Sequence, residues 1–130
     1  MKIDPRSHVP IYLQIAEEVR SAVAAGLYRP GEALPSLRAL AIDVKVNPNT
    51  VQRAYDALER EGLVYSQRGK GLYVAEQGTA SAQTRTQEAV RRALEEGIRA
   101  GRAAGMGVPQ VRVLFEAAIE RMAQVGSERL

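Results

Sequence analysis

The chain has 130 residues, of which 45% are apolar and 25% charged, and carries a net charge of +3 at neutral pH. That length holds one small domain and an appendage, with no room for a large ligand-binding domain. With no cysteine and His8 as the single histidine, disulfide frameworks, thiol catalysis and Cys/His zinc sites are excluded, and no metal or cofactor is expected.

No apolar run approaches the ~20 residues of a membrane helix, and the amino terminus lacks the apolar core of a signal peptide, so a cytoplasmic protein without a membrane partner is expected. The positive charge leans towards an acidic partner such as nucleic acid, but is too small to identify one. Its placement along the chain has to decide.

From Pro10 to Ala25 the apolar residues Ile11, Tyr12, Ile15, Val19, Ala22 and Val23 recur at helical spacing, with Gly26 as a stop. Leu27 to Pro35 contains Pro30-Gly31 and reads as a turn and a short extended piece. Ser36 then suits the N-cap of a second, short helix through Leu37, Leu40 and Ala41 that ends near Asp43. Asn47 can cap, and Pro48 can open, a third helix carrying Val51, Ala54, Tyr55 and Leu58 and closed by Gly62. Two helices joined by a few residues make a helix-turn-helix.

After Gly62, Leu63–Gln67 and Leu72–Val74 read as strands around the turn Arg68-Gly69-Lys70-Gly71. Three helices followed by a hairpin predict a winged helix over residues 9–76. Residues 77–84 are small and polar and read as a linker. Residues 85–126 then carry two apolar stripes. One is Val90, Leu94, Gly97, Ile98 and Gly101; the other is Val111, Leu114, Phe115, Ala118, Ile119 and Met122, with Gly105 and Gly107 between them and Pro109 opening the last helix. Short amphipathic helices are marginal alone. The expected class is therefore mostly α with a small β-hairpin: a winged helix-turn-helix followed by a two-helix dimerisation tail. The pairing residues are expected to be Leu94, Ile98, Gly101 and the second stripe. Gly97, Gly101 and Gly105 either permit close approach between subunits or simply weaken their helix, by about 1 kcal/mol each relative to alanine.

A recognition helix presents short polar and basic side chains at its amino-terminal end, where it meets base edges and phosphates in the major groove. Asn47, Asn49, Thr50, Gln52 and Arg53 supply that set, with Asn49 and Gln52 able to pair with adenine. Read singly, Asn47 and Thr50 are ordinary caps and Arg53 a solvated charge. The hairpin behind them, with Arg68 and Lys70 beside Gly69 and Gly71, has the chemistry of a wing lying on phosphates or the minor groove. Arg38, two residues past Ser36, has its charge free to reach backbone or a base edge.

The segments Leu34-Pro35-Ser36-Leu37-Arg38-Ala39-Leu40-Ala41 and Val46-Asn47-Pro48-Asn49-Thr50-Val51-Gln52-Arg53-Ala54-Tyr55 resemble the DNA-binding domain of the GntR family. Pro10-Ile11-Tyr12, Tyr28-Arg29-Pro30-Gly31, Leu58-Glu59-Arg60-Glu61-Gly62 and the wing glycines Gly69 and Gly71 extend the resemblance over residues 9 to 75. It implies DNA contacts by Arg38, Asn47, Asn49, Thr50, Gln52 and Gly69; Ser36, at the start of the same helix as Arg38, is also expected at the DNA face. Pro48, also placed at the DNA face, departs from members with a basic or polar residue there.

The brief tail resembles the YtrA-type subgroup. That implies dimerisation through such helices and control of an ABC transporter operon. A homodimer is expected to place two recognition helices on a palindromic operator of double-stranded DNA, and bound near a promoter it would most simply repress. A small-molecule effector is not legible. Two rivals are weaker: a winged-helix module for a protein partner, against which Asn49, Gln52 and Arg53 argue, and an enzyme, for which no nucleophile with a base and no plausible carboxylate pair is found.

Overall fold

The computed structural model describes residues 1–128. It contains five helices and one hairpin, in the order α1 (Ile11–Ala24), α2 (Leu37–Val44), α3 (Pro48–Arg60), β1 (Val64–Gln67), β2 (Gly71–Val74), α4 (Gly78–Ala103) and α5 (Val108–Glu128). The mostly helical class with a small hairpin, and the winged helix-turn-helix within it, agree with the sequence reading. The chain divides into two compact units, Met1–Glu88 and the part beginning at Ala89, with the division inside α4.

In the first unit, the 3.6-residue period sorts side chains into a shared core: Ile15, Val19 and Val23 of α1, Leu40 and Ala41 of α2, and Val51, Ala54, Tyr55 and Leu58 of α3. Leu63, Val64 and Val74 extend it beneath the hairpin. The strands pair antiparallel, with Val64 opposite Val74 and Gln67 opposite Gly71. The segment before α2 lies along β2: Leu34 N–H donates to Leu72 O at 2.8 Å and Val74 N–H to Glu32 O at 2.9 Å. The extended piece expected between the first two helices is thus fastened to the wing.

Helix ends follow their caps. Ser36 Oγ accepts from Ala39 N–H at 3.1 Å at the start of α2, and Asn47 Oδ1 accepts from Asn49 N–H at 2.8 Å at the start of α3. Pro10 stands just outside α1, at its N-cap. α2 closes on Lys45, a left-handed residue with φ 58°, so that Val46 N–H reaches Ala41 O at 3.0 Å. Glycine ends α1 and α3 in the same conformation, at Gly26 and Gly62.

Residues 77–84 differ from expectation. All but Gln77 belong to α4, and Gly78 and Ala82 are buried against the winged-helix core. The reason is local. Thr79-Ala80-Ser81-Ala82-Gln83 has no proline, and its alanines favour helix. A Cβ on Gly78 would also stand 2.8 Å from Leu63 O and 2.9 Å from the Val74 side chain, so that any larger residue forces a shift there. What reads as flexibility is a close approach.

In the second unit, α4 ends at a left-handed Gly105 (φ 86°), with Met106 N–H donating to Gly101 O at 3.0 Å. Pro109 lies in the first turn of α5, where its missing N–H is harmless. No described helix is long and apolar enough to cross a membrane.

Candidate nucleic-acid interface

Since Val51, Ala54, Tyr55 and Leu58 point into the core, α3 turns Asn49, Gln52 and Arg53 to solvent, with Asp56 partly exposed on the same side. Tyr55 fixes the helix from below. Its hydroxyl donates to Pro35 O at 2.9 Å, across the gap to the segment that starts α2. Burial pushes the Tyr55 phenol well above its ordinary range, with a smaller contribution from Tyr28, so it stays a neutral donor.

The exposed side chains are partly restrained. Gln52 Nε2 donates to Asp56 Oδ1 at 2.8 Å, which fixes the orientation of the amide. The guanidinium carbon of Arg53 lies 3.9 Å from the centroid of the Tyr12 ring on α1. Asn47 spends an acceptor on capping, Ser36 does the same for α2, Pro48 is exposed, and Thr50 is only half-exposed.

The wing tip is a second exposed group. Lys70 N–H donates to Gln67 O at 2.9 Å, closing a turn whose third residue, Gly69, has φ 77°. That conformation is costly for any residue with a Cβ, and it lifts Arg68 and Lys70 into solvent. Tyr65 and Tyr73 face each other across the strands, with ring centroids 5.9 Å apart, and stiffen the hairpin. No hydrogen bond or ion pair joins this tip to the exposed face of α3 among the described residues. Arg38, Lys45, Arg53, Arg68 and Lys70 are all exposed, and none pairs with a carboxylate among the described residues. Exposed cations without an ion-pair partner at these positions suit an anionic surface.

Tyr12, Asp56 and Lys45 belong to this region, although the sequence reading gives none of them a role at the DNA face. Tyr12 meets Arg53 only through folding. Asp56 could have been noticed, being one helical turn from Gln52.

The tail has its own surface. Leu94, Ile98, Leu114, Phe115, Ile119 and Met122 are 42–68% exposed although apolar, while Val111 and Ala118 are half-buried. An apolar cleft of about 490 Å³ lies between α4 and α5, lined by Leu94, Ile98, Val111, Leu114 and Phe115 among others. Gly101 stands at a close approach within the chain. A Cβ there would stand 3.0 Å from Val111 Cγ2 of the same chain, so the close approach it permits is between α4 and α5. Gly97 faces open space, and Gly105 ends the helix.

A sequence model of the family described as bacterial regulatory proteins, gntR family, matches residues 11–74. The HTH-type transcriptional repressor YtrA of Bacillus subtilis (strain 168) is 47% identical over 76 residues, which are 58% of this chain and 58% of that protein. The chain thus aligns with a little over half the length of that relative. The structure of YtrA from Sulfolobus acidocaldarius, a GntR-family transcription factor, is similar with a TM-score of 0.57 and 36% identity, over 72% of this chain and 96% of that one. AraR(DBD) in complex with operator ORX1 is similar with a TM-score of 0.53 and 31% identity, over 58% of this chain and 93% of that one. On these matches, and on the winged helix-turn-helix itself, the chain belongs to the GntR family of bacterial regulatory proteins.

Proposed function

We propose that this chain is a DNA-binding transcription regulator that represses by occupying a palindromic operator as a homodimer. The carrying observation is the exposed polar face of α3, Asn49, Gln52 and Arg53, in a unit whose cations at Arg38, Lys45, Arg68 and Lys70 lack acidic partners. The similarity to AraR(DBD) in complex with an operator and to the repressor YtrA of Bacillus subtilis supports the same reading.

In this reading α3 enters the major groove. Asn49 and Gln52 read base edges there, with Ser36, Arg38, Asn47, Pro48 and Thr50 at the groove's margin. Arg68, Gly69, Lys70 and Gly71 put the wing on phosphate or the minor groove. Affinity comes largely from the cations and falls steeply with salt. Residues 9–76 hold the DNA-reading part and 85–126 the pairing part, the apolar faces of α4 and α5 closing on a second copy. Two-fold pairing sets half-sites about one helical turn, or roughly 34 Å, apart. The family expectation for the target is an ABC transporter operon, and the site of action is the cytoplasm.

Gln52→Ala tests the base-reading role. On duplex selected by the wild-type chain it should cost about 1–3 kcal/mol, with little loss on random duplex. Equal losses on both would assign Gln52 to general affinity.

A further inference from the structure

We infer that Tyr12 is a positioning residue for DNA binding: its ring holds the Arg53 guanidinium ready for a backbone phosphate of the duplex. This rests on the DNA-binding reading above and assigns a partner to the first turn of α1, which that reading leaves unused.

Tyr12 is half-buried and packs against the core below α1, whereas Arg53 is exposed on α3. At 3.9 Å from the ring centroid the guanidinium is well within cation–π range, and aromatic faces suit the flat, weakly hydrated guanidinium. The contact occupies a face of the guanidinium. Its N–H donors lie in the plane, and none has a hydrogen-bond acceptor or carboxylate partner among the described residues. The side chain is therefore ordered but chemically unspent.

Position selects the partner. Asn49 and Gln52 occupy the solvent face of α3, while contact with Tyr12 draws Arg53 towards α1 and the margin of that face. A helix seated in the major groove has base edges along its centre and phosphates along its margins. A guanidinium held there matches a phosphate and reduces the ordering cost of binding one.

The test measures affinity and salt dependence for Tyr12→Phe, Tyr12→Leu, Arg53→Ala and the Tyr12→Leu/Arg53→Ala double variant. The probe is the duplex recovered from a random pool by the wild-type chain, and thermal melting tracks folding. Tyr12→Phe should bind as the wild type. Tyr12→Leu should bind about two- to fivefold more weakly. Arg53→Ala should reduce the slope of log affinity against log salt by about 0.9, with similar losses on unrelated duplex. In the Arg53→Ala background, Tyr12→Leu should cost nothing further.

An undiminished Tyr12→Leu loss in that background, or no loss in the wild-type background, overturns the inference while leaving DNA binding intact. A wild-type chain that recovers no duplex removes the DNA-binding reading itself, and the inference with it.

Discussion

Arg20 and Glu61 form a two-pronged ion pair, Nη2 to Oε1 at 2.6 Å and Nε to Oε2 at 3.1 Å, which ties α1 to the carboxy-terminal end of α3. Arg85 of α4 approaches the same carboxylate at 3.6 Å. Glu61 therefore links three helices of the winged-helix unit. The Arg20 and Glu61 side chains are 18% and 17% exposed, but Arg85 is 50% exposed. Glu61→Ala should lower unfolding stability by about 1.5–3 kcal/mol, since it strands a sheltered guanidinium. Arg85→Ala should cost about 0–1 kcal/mol, as exposed pairs do. Urea denaturation of the two variants checks the ranking, and equal costs would contradict it.

Gly78→Ala introduces a Cβ at 2.8 Å from the Leu63 carbonyl and 2.9 Å from the Val74 side chain. Alanine favours helix over glycine by about 1 kcal/mol, yet overpacking of this kind typically costs about 1–3 kcal/mol. The expected outcome is net loss, read as a lower melting temperature. Gly97→Ala faces open space in the chain and isolates the helix term. It should raise stability unless Gly97 lies at a close approach between subunits, which a parallel measurement of association would reveal.

Tyr55→Phe removes the bond to Pro35 O and should cost about 0.5–1.5 kcal/mol near neutral pH. The folded state resists ionisation of this phenol, whose ordinary value is 10.0. Above pH 10 the unfolded chain loses that proton while the folded chain keeps it, so the Tyr55 contribution falls as pH rises. The wild-type advantage over Tyr55→Phe should therefore shrink on the alkaline side. An advantage that grows there would contradict the buried, neutral phenol.

Phe115→Glu places a charge on the apolar face of α5, where Phe115 is 42% exposed. If that face pairs with a second copy, sedimentation should show a monomer, and operator affinity should fall as the two half-sites lose their linkage. Thermal melting of the winged-helix unit should change little. A variant that stays dimeric would locate the pairing surface elsewhere.

The parts of the fold legible in sequence were those written in local chemistry. Ser36 and the Asn47-Pro48 pair mark helix starts, Gly26 and Gly62 mark helix ends, and Gly69 marks the wing turn, each through its own backbone or cap. What depended on distant contacts was not legible. Gly78 resembles a linker glycine until Leu63 and Val74 are seen above it. Gly101 carries no sign in the sequence that Val111 of the same chain packs against it. Arg53 looks solvated until Tyr12 is found beneath it. Lys45, left-handed in the turn between α2 and α3, carries no local sign because that conformation usually marks glycine or asparagine.

The most direct test of the central claim is selection of bound sequences from random duplex DNA by the purified chain, at a low and a high salt concentration. The account predicts a palindrome of two short half-sites about one helical turn apart, retained at the higher salt with reduced yield. Recovery of sequence-blind duplex that disappears as salt rises would contradict it.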